Sequence, residues 1–246
     1  MIDVIIIGSG GAGLSAALSA KEQGANVLLV SKTYPTHSQT VQAQGGINAV
    51  LNNSINDSVE NHINDTYNSS KGLANKKAIE LICNNANETI TWLDNLGVPF
   101  SRNSKNEIAQ RAFGGTKAIR TCYSSDYTGL KILHTLYDNC IKNNIEFLNE
   151  HILLDLIVED NIVYGVKVMN LLNSEISNIY AKTTILATGG YSNIYNNYTT
   201  NSTSTTGDGI AIAYENGAKL SNMEFVQFHP TALENKNILI SESARG

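Results

Sequence analysis

The first thirteen residues, M-I-D-V-I-I-I-G-S-G-G-A-G, run an apolar stretch directly into closely spaced glycines. Ile2 to Ile7 is continuously apolar after Asp3, the mark of a short strand buried on both faces of a parallel sheet. Gly8, Gly10 and Gly13 then fall at the spacing G-x-G-x-x-G. Between a strand and a helix the three glycines serve different ends. They allow a tight turn, close approach of backbone to a pyrophosphate, and close packing of helix on strand. A helix is expected over Ala12 to Gln23, with its N-terminal N–H groups and positive dipole end facing phosphate. Asn26 to Val30 supplies a second strand. The opening therefore predicts a β-α-β unit, and Ser9, Gly11 and Ala12 join the three glycines as candidate contacts to a dinucleotide.

Further along, Lys32 to Gly46 lacks periodicity and carries Tyr34-Pro35-Thr36, so an extended loop is expected. Ser58 to Ser70 and Asn75 to Leu96 read as helices, the second ending at Gly97 with Pro99 just beyond. Thr128 is a candidate cap for a helix whose apolar face is Leu130, Leu133, Leu136, Cys140 and Ile141. Ile145 to Leu148 reads as a third buried strand. Ile152 to Val158, Ile162 to Met169 and Ser177 to Ala181 then form a small antiparallel insert, with Glu159-Asp160-Asn161 as a hairpin turn. Thr184 to Ala187 returns to the main sheet.

At 246 residues there is room for one large domain or two small ones. Hydrophobic residues make up 42% and charged residues 16%, which suits a soluble globular protein and argues against disorder. No apolar run reaches membrane-spanning length, and with a strand expected from residue 2 no signal peptide is expected. The net charge of −5 offers nucleic acid no basic face, so any anion site is local. Cys83, Cys122 and Cys140 form no C-x-x-C pair, and buried reduced thiols are expected rather than a metal or redox site.

In an NAD-binding unit the second strand normally ends in Asp or Glu, which holds the ribose hydroxyls. Here it ends in Ser31-Lys32. The Ser31 hydroxyl can still bond a ribose, or Ser31 is only a loop residue; the missing carboxylate counts against simple NAD binding.

Five further motifs follow in order: T-H-S-Q-T-V-Q-A-Q-G-G-I-N-A (Thr36 to Ala49), A-F-G-G-T-K (Ala112 to Lys117), I-L-A-T-G-G (Ile185 to Gly190), T-G-D-G (Thr206 to Gly209) and V-Q-F-H-P-T-A (Val226 to Ala232). Together they resemble the flavoprotein subunits of fumarate reductase and succinate dehydrogenase, with L-aspartate oxidase a close relative. The match runs from residue 1 to residue 246. Family members are longer, so the chain resembles an N-terminal fragment that stops inside the pattern.

The resemblance implies FAD and assigns its contacts. Ser38, Gln39 and Thr40 lie in the loop that meets the cofactor, and Ala43-Gln44-Gly45-Gly46 lies against the flavin ring. As residues alone, the Gly45-Gly46 pair also suits a mere turn. Ala187-Thr188-Gly189 ends a buried strand beside the nucleotide, and Asp208 holds the flavin side. Asp208 also opens an apparent helix, Gly207 to Glu215, where an acidic residue is favourable without any ligand. The family's loop reads S-H-T, and that histidine bonds the 8α carbon of FAD. Gln39 stands in its place, so non-covalent FAD is implied. His37, two residues earlier, would need the loop to shift before it could substitute.

His229 sits where the family's histidine binds a substrate carboxylate. Ser241 and Glu242 match a Thr-Glu pair that contacts substrate; serine keeps the hydroxyl, and Glu242 is read as orienting cations or relaying protons. Arg245 is read as structural. Phe113 separates the relatives, with core packing as its other explanation. Fumarate reductases resemble this chain in placing Phe before Gly-Gly, where the ring packs on substrate, whereas aspartate oxidases have Glu to pair an ammonium. An ammonium left unpaired in a closed site would cost several kcal/mol. T-K-A-I-R-T (Thr116 to Thr121) also argues against the oxidase.

The expected fold is α/β: an FAD-binding, Rossmann-like parallel sheet over 1–225, with a small antiparallel insert and the start of a capping domain over 226–246. The implied activity is interconversion of fumarate and succinate by hydride transfer at flavin N5; a truncated flavin-binding paralogue without activity is the other class. The fragment alone is expected to be inactive. The implied partners are a dicarboxylate, an iron–sulfur subunit and membrane anchors. The implied place is the cytoplasm or, through those partners, the inner face of the cytoplasmic membrane. No metal site is expected.

Overall fold

The computed structural model describes residues 1–113, 117–229, 231–233 and 238–241. In chain order the principal elements are β1 (Ile2–Ile7), α1 (Gly11–Glu22), β2 (Val27–Ser31), β3 (Ile47–Asn48), α2 (Val59–Ser69), α3 (Lys76–Asn95), β4 (Gln110–Arg111), β5 (Thr121–Cys122), α4 (Thr128–Lys142), β6 (Glu146–Asn149), β7 (His151–Glu159), β8 (Ile162–Asn170), β9 (Ile176–Leu186) and α5 (Asp208–Glu215). They fall into two compact units, Met1–Gln42 with Leu133–Ile238, and Ala43–Ile132 with the segment from Leu239.

The first unit is built on a six-stranded sheet of order β6-β2-β1-β9-β8-β7. β1 pairs in parallel with both β2 (Ile5↔Leu28) and β9 (Ile5↔Thr184), so its N–H and C=O groups are satisfied on both sides. Ile5, Ile7, Leu28 and Val30 join Leu153, Val166, Val168 and α5's Ile212 in one core. Ile6 and Leu29, which point the other way by strand periodicity, are also fully buried. Burial on both faces explains why β1 and β2 read as unbroken apolar runs.

The last strand of the expected insert and the return strand are one element. β9 is continuous: its first half pairs antiparallel with β8 (Met169↔Ile176, Gly165↔Tyr180) and its second half parallel with β1 (Ile2↔Ala181, Ile7↔Leu186). Lys182 and Thr183, which fell between the two expected strands, lie on a strand paired on one side to β1, where backbone pairing overrides a weak side-chain pattern. The loop at 32–46 is also more ordered than expected, with 3-10 turns at Pro35–His37 and Gln39–Gln42.

In the second unit, α2 and α3 begin where caps were legible. Ser58 accepts the Asn61 N–H, and Asn75 accepts those of Lys77 and Ala78. Thr128, by contrast, is the first residue of α4; its hydroxyl accepts the Ser124 N–H (3.0 Å) and donates to the Gln44 carbonyl (3.2 Å). A three-stranded sheet of order β3-β5-β4 was not expected, because its strands are two residues each. Beside it Arg120, only 1% exposed, donates from Nε and Nη2 to Asp57 (2.8 and 2.9 Å) and from Nη2 to Asp65 (2.9 Å). Among the described residues no helix is long and apolar enough to cross a membrane.

Candidate functional site

The carboxyl ends of β1, β2 and β9 open onto a cleft of about 500 Å³ in the first unit. That volume suits a bound small molecule, and the position beyond the strand ends is where open α/β sheets bind ligands. Gly8 turns the chain out of β1 with φ +110°, a backbone conformation that side chains rarely adopt. A Cβ on Gly8 would stand 2.3 Å from the Ala187 carbonyl oxygen, and one on Gly13 would stand 1.8 Å from that of Gly8. Gly13 therefore packs α1 on the strand end, as the fingerprint requires. Gly10 is the N-terminal cap of α1, and an added Cβ there would point at the Ser38 and Thr40 side chains, 3.5 Å away.

The cleft wall gathers most of the expected dinucleotide contacts: Gly8 to Ala12, Ser31 and Lys32, Ser38 to Thr40, Ala187 to Gly189, and Asp208. Gly13 lies beneath it. Thr40 Oγ1 accepts the Gly11 N–H at 3.0 Å, while Ser38 Oγ is buried with no partner among the described residues. Ser31 is buried, and its hydroxyl donates to the Thr33 carbonyl (2.5 Å) while sharing a 2.5 Å hydrogen bond with Ser9. Lys32 Nζ lies 2.6 Å from Asp208 Oδ2, and Thr206 donates to the same carboxylate at 2.8 Å. Asp208 thus opens α5 and carries a cation partner at the cleft rim.

The sequence reading missed His151, which also lines the cleft with Ile152 and Leu153. Its Nδ1 pairs with the Asn149 carbonyl at 2.7 Å, which leaves Nε2 as an acceptor in the neutral ring. Nothing in H-I-L-L distinguishes such a histidine from the start of an ordinary strand. Also in this unit, the His229 N–H donates to Thr200 Oγ1 (2.6 Å) and the ring Nδ1 meets the Thr231 carbonyl (2.7 Å).

In the second unit every carbonyl from Ala43 to Gly45 is occupied: Ala43 accepts from Gly129 N (2.7 Å), Gln44 from Thr128, and Gly45 from Arg111 Nη2 (2.8 Å). Gly46, at φ +128°, presses on Cys122, whose carbonyl oxygen would lie 2.3 Å from a Cβ. Arg111 also pairs with Asp126 (3.2 Å) and lies over the Tyr123 ring, 4.5 Å from its centre, with half-buried Phe113 at 6.0 Å. The Ser241 hydroxyl donates to Asp126 Oδ2 at 2.8 Å. Arg111 and Asp126 carried no signal beyond being charged. His229 belongs to the first unit and Phe113 and Ser241 to the second; Glu242 and Arg245 lie outside the described residues.

The three cysteines are buried and free. Burial pushes the Cys122 and Cys140 thiols up to about 12, which makes both poor nucleophiles. Among the described residues no group of His, Cys, Asp and Glu could hold a metal ion.

A family model described as an FAD binding domain matches residues 3–246. The chain belongs to that FAD-binding family. This FAD-binding chain is 44% identical over 252 residues to the succinate dehydrogenase flavoprotein subunit of Rickettsia bellii, covering 99% of itself and 42% of that relative. It is 40% identical to the 8-methylmenaquinol:fumarate reductase flavoprotein subunit of Wolinella succinogenes, covering 99% and 40%. A solved variant of Escherichia coli quinol fumarate reductase superposes with a TM-score of 0.94 at 37% identity, covering 99% and 42%. The resemblance carried by the five ordered motifs is borne out, and the chain spans about two fifths of these relatives' length.

Proposed function

We propose that the full-length protein carrying this segment is the flavoprotein of an enzyme interconverting fumarate and succinate, with FAD held non-covalently. The observation that carries this reading is the cleft beyond β1, β2 and β9, in a chain 44% identical to a succinate dehydrogenase flavoprotein subunit over nearly its whole length. Its residues fit the cofactor: the N-terminus of α1 opens onto the cleft and would face the pyrophosphate, glycines leave space for it, and the buried Ser38 hydroxyl has a hydrogen bond to give. Gly8 to Gly13, Ser31, Lys32, Ser38 to Thr40, Ala187 to Gly189 and Asp208 would hold it, with Ala43 to Gly46 against the flavin ring. Bound FAD supplies hydride chemistry at its N5.

In this reading His229 and Ser241 bind substrate carboxylate, Phe113 packs on the carbon skeleton, and Glu242 orients cations or relays a proton. Ser241 would exchange its Asp126 partner for the substrate's carboxylate, a swap of one charged acceptor for another. Preorganised donors stabilise the negative charge that develops on the substrate during reduction. Residues 226–246 begin the capping domain, and an iron–sulfur subunit with membrane anchors places the enzyme on the inner face of the cytoplasmic membrane. The test compares flavin reduction by succinate and by L-aspartate in the full-length protein. Succinate is expected to reduce it and aspartate is not, because Phe113 offers an ammonium no partner. Faster reduction by aspartate would sink the assignment.

A further inference from the structure

One short segment of the first unit bonds in two directions. Gln39, on the 3-10 turn bordering the cleft, accepts the Ser202 N–H at Oε1 (2.6 Å) and donates from Nε2 to Asn201 Oδ1 (3.3 Å). Asn201 in turn donates from Nδ2 to the Gln227 carbonyl at 2.7 Å. One residue earlier, Thr200 Oγ1 accepts the His229 N–H at 2.6 Å and reaches the His229 carbonyl at 3.4 Å. Thr199 braces the turn by accepting the Asn201 N–H at 3.1 Å. A side-chain amide at position 39 cannot form the covalent 8α bond to a flavin, but it does what is seen here, using both its polar ends to fasten two loops.

We propose that Thr200–Ser202 is a positioning bracket that couples the cleft to the backbone of His229 through Gln39. Filling the cleft holds the turn that carries Gln39; Gln39 holds Ser202 and Asn201; these hold Gln227 and, through Thr200, His229. The coupling is reciprocal, so an anion held by His229 tightens the cofactor in the cleft. Only that last clause rests on the proposed function. Gln39, Asn201 and Thr200 are positioning residues, since none needs to touch substrate. The stretch before His229 has other anchors: the Tyr191 hydroxyl donates to the Met223 carbonyl, and the Tyr195 ring meets Phe228 edge-on at 5.8 Å. Truncating Gln39 therefore cuts the coupling without freeing that stretch.

Amide hydrogen exchange in the intact protein, with and without saturating FAD, tests this directly. In the wild type, FAD is expected to slow exchange over Val226–His229 by about five- to tenfold, a common size for coupling between sites. The slowing should survive in Thr200→Ser, which keeps the hydroxyl, be lost at His229 in Thr200→Val, which leaves the Asn201–Gln227 bond in place, and vanish throughout in Gln39→Ala. If FAD protects Gly8–Gly13 while leaving Val226–His229 unchanged in the wild type, the bracket is overturned. It is equally overturned if Thr200→Val or Gln39→Ala retains the full slowing. A parallel titration with malonate separates the two ideas: normal exchange coupling in a protein that binds no dicarboxylate would reject the fumarate–succinate reading and leave the bracket standing.

Discussion

His229 shows how a single residue is held ready by its surroundings. Its N–H is taken by Thr200 and its Nδ1 by Thr231, so ring and backbone are both positioned by neighbours close in the fold. His229→Ala should therefore abolish dicarboxylate binding while the flavin absorbance spectrum stays that of the wild type, because the cleft is lined by other residues. A variant that still binds malonate with unchanged affinity would remove His229 from the site. Individual residues were unevenly legible from the sequence. Gly8 and Gly13 were readable because their constraint is steric and local: no side chain fits at that turn. His151 and Arg111 were not, since their placement depends on strands and loops distant in sequence. Ser31 lay in between: its position at the end of β2 was read correctly, but the hydroxyl's bonds to Ser9 and Thr33 depend on tertiary packing.

Elements were legible where apolar periodicity or a cap announced them, as in β1, α2 and α3. They were obscured where pairing alone makes the element. β9 looked like two strands because it passes from an antiparallel to a parallel neighbour, changing its surroundings midway. β3, β4 and β5 are too short to show any period, yet β5 supplies the surface on which Gly46 is packed. Arg120 immediately precedes β5, and a buried histidine near it gives α2 an expected pH dependence. His62 on α2 is buried, and burial first, then the Arg120 charge, hold its pKa below the ordinary 6.5. The folded protein thus binds fewer protons than the unfolded chain between that lowered value and about 6.5, so stability rises with pH across the window and falls on acidification. Exchange protection of Val59–Ser69 in the intact protein should drop between pH 7.5 and 5.5, after correction for intrinsic exchange rates. His62→Gln should flatten the drop; an identical fall in both proteins would exclude His62 as its source.

At the scale of the whole molecule the decisive question is how the cofactor is retained. The loop proposed to meet FAD reads S-Q-T, and an amide cannot form the 8α bond that the resemblance assigns to a histidine there. His37 is the nearest alternative, and its placement argues against rescue. It closes its own 3-10 turn, Pro35–His37, with its ring 6.1 Å from that of Tyr34, whereas Ser38, Gln39 and Thr40 are the loop residues that line the cleft. Under the proposed non-covalent attachment, FAD would be held by mass action alone and lost when the protein unfolds. After acid denaturation and gel electrophoresis the protein band should show no flavin fluorescence under ultraviolet light; a fluorescent band would refute the non-covalent reading. If FAD is non-covalent as proposed, a direction of turnover is expected from the same chemistry. A covalent link raises flavin potential, so its absence leaves the reduced cofactor a better electron donor, and for a two-electron couple roughly 30 mV shifts the equilibrium tenfold. The full-length enzyme should accordingly reduce fumarate with a low-potential dye faster than it oxidises succinate with a high-potential one. Restoring histidine by Gln39→His would cut the bracket to Ser202 as well as change the attachment chemistry, so the wild-type rate ratio is the cleaner measurement. A ratio favouring succinate oxidation would count against fumarate reduction as the working direction.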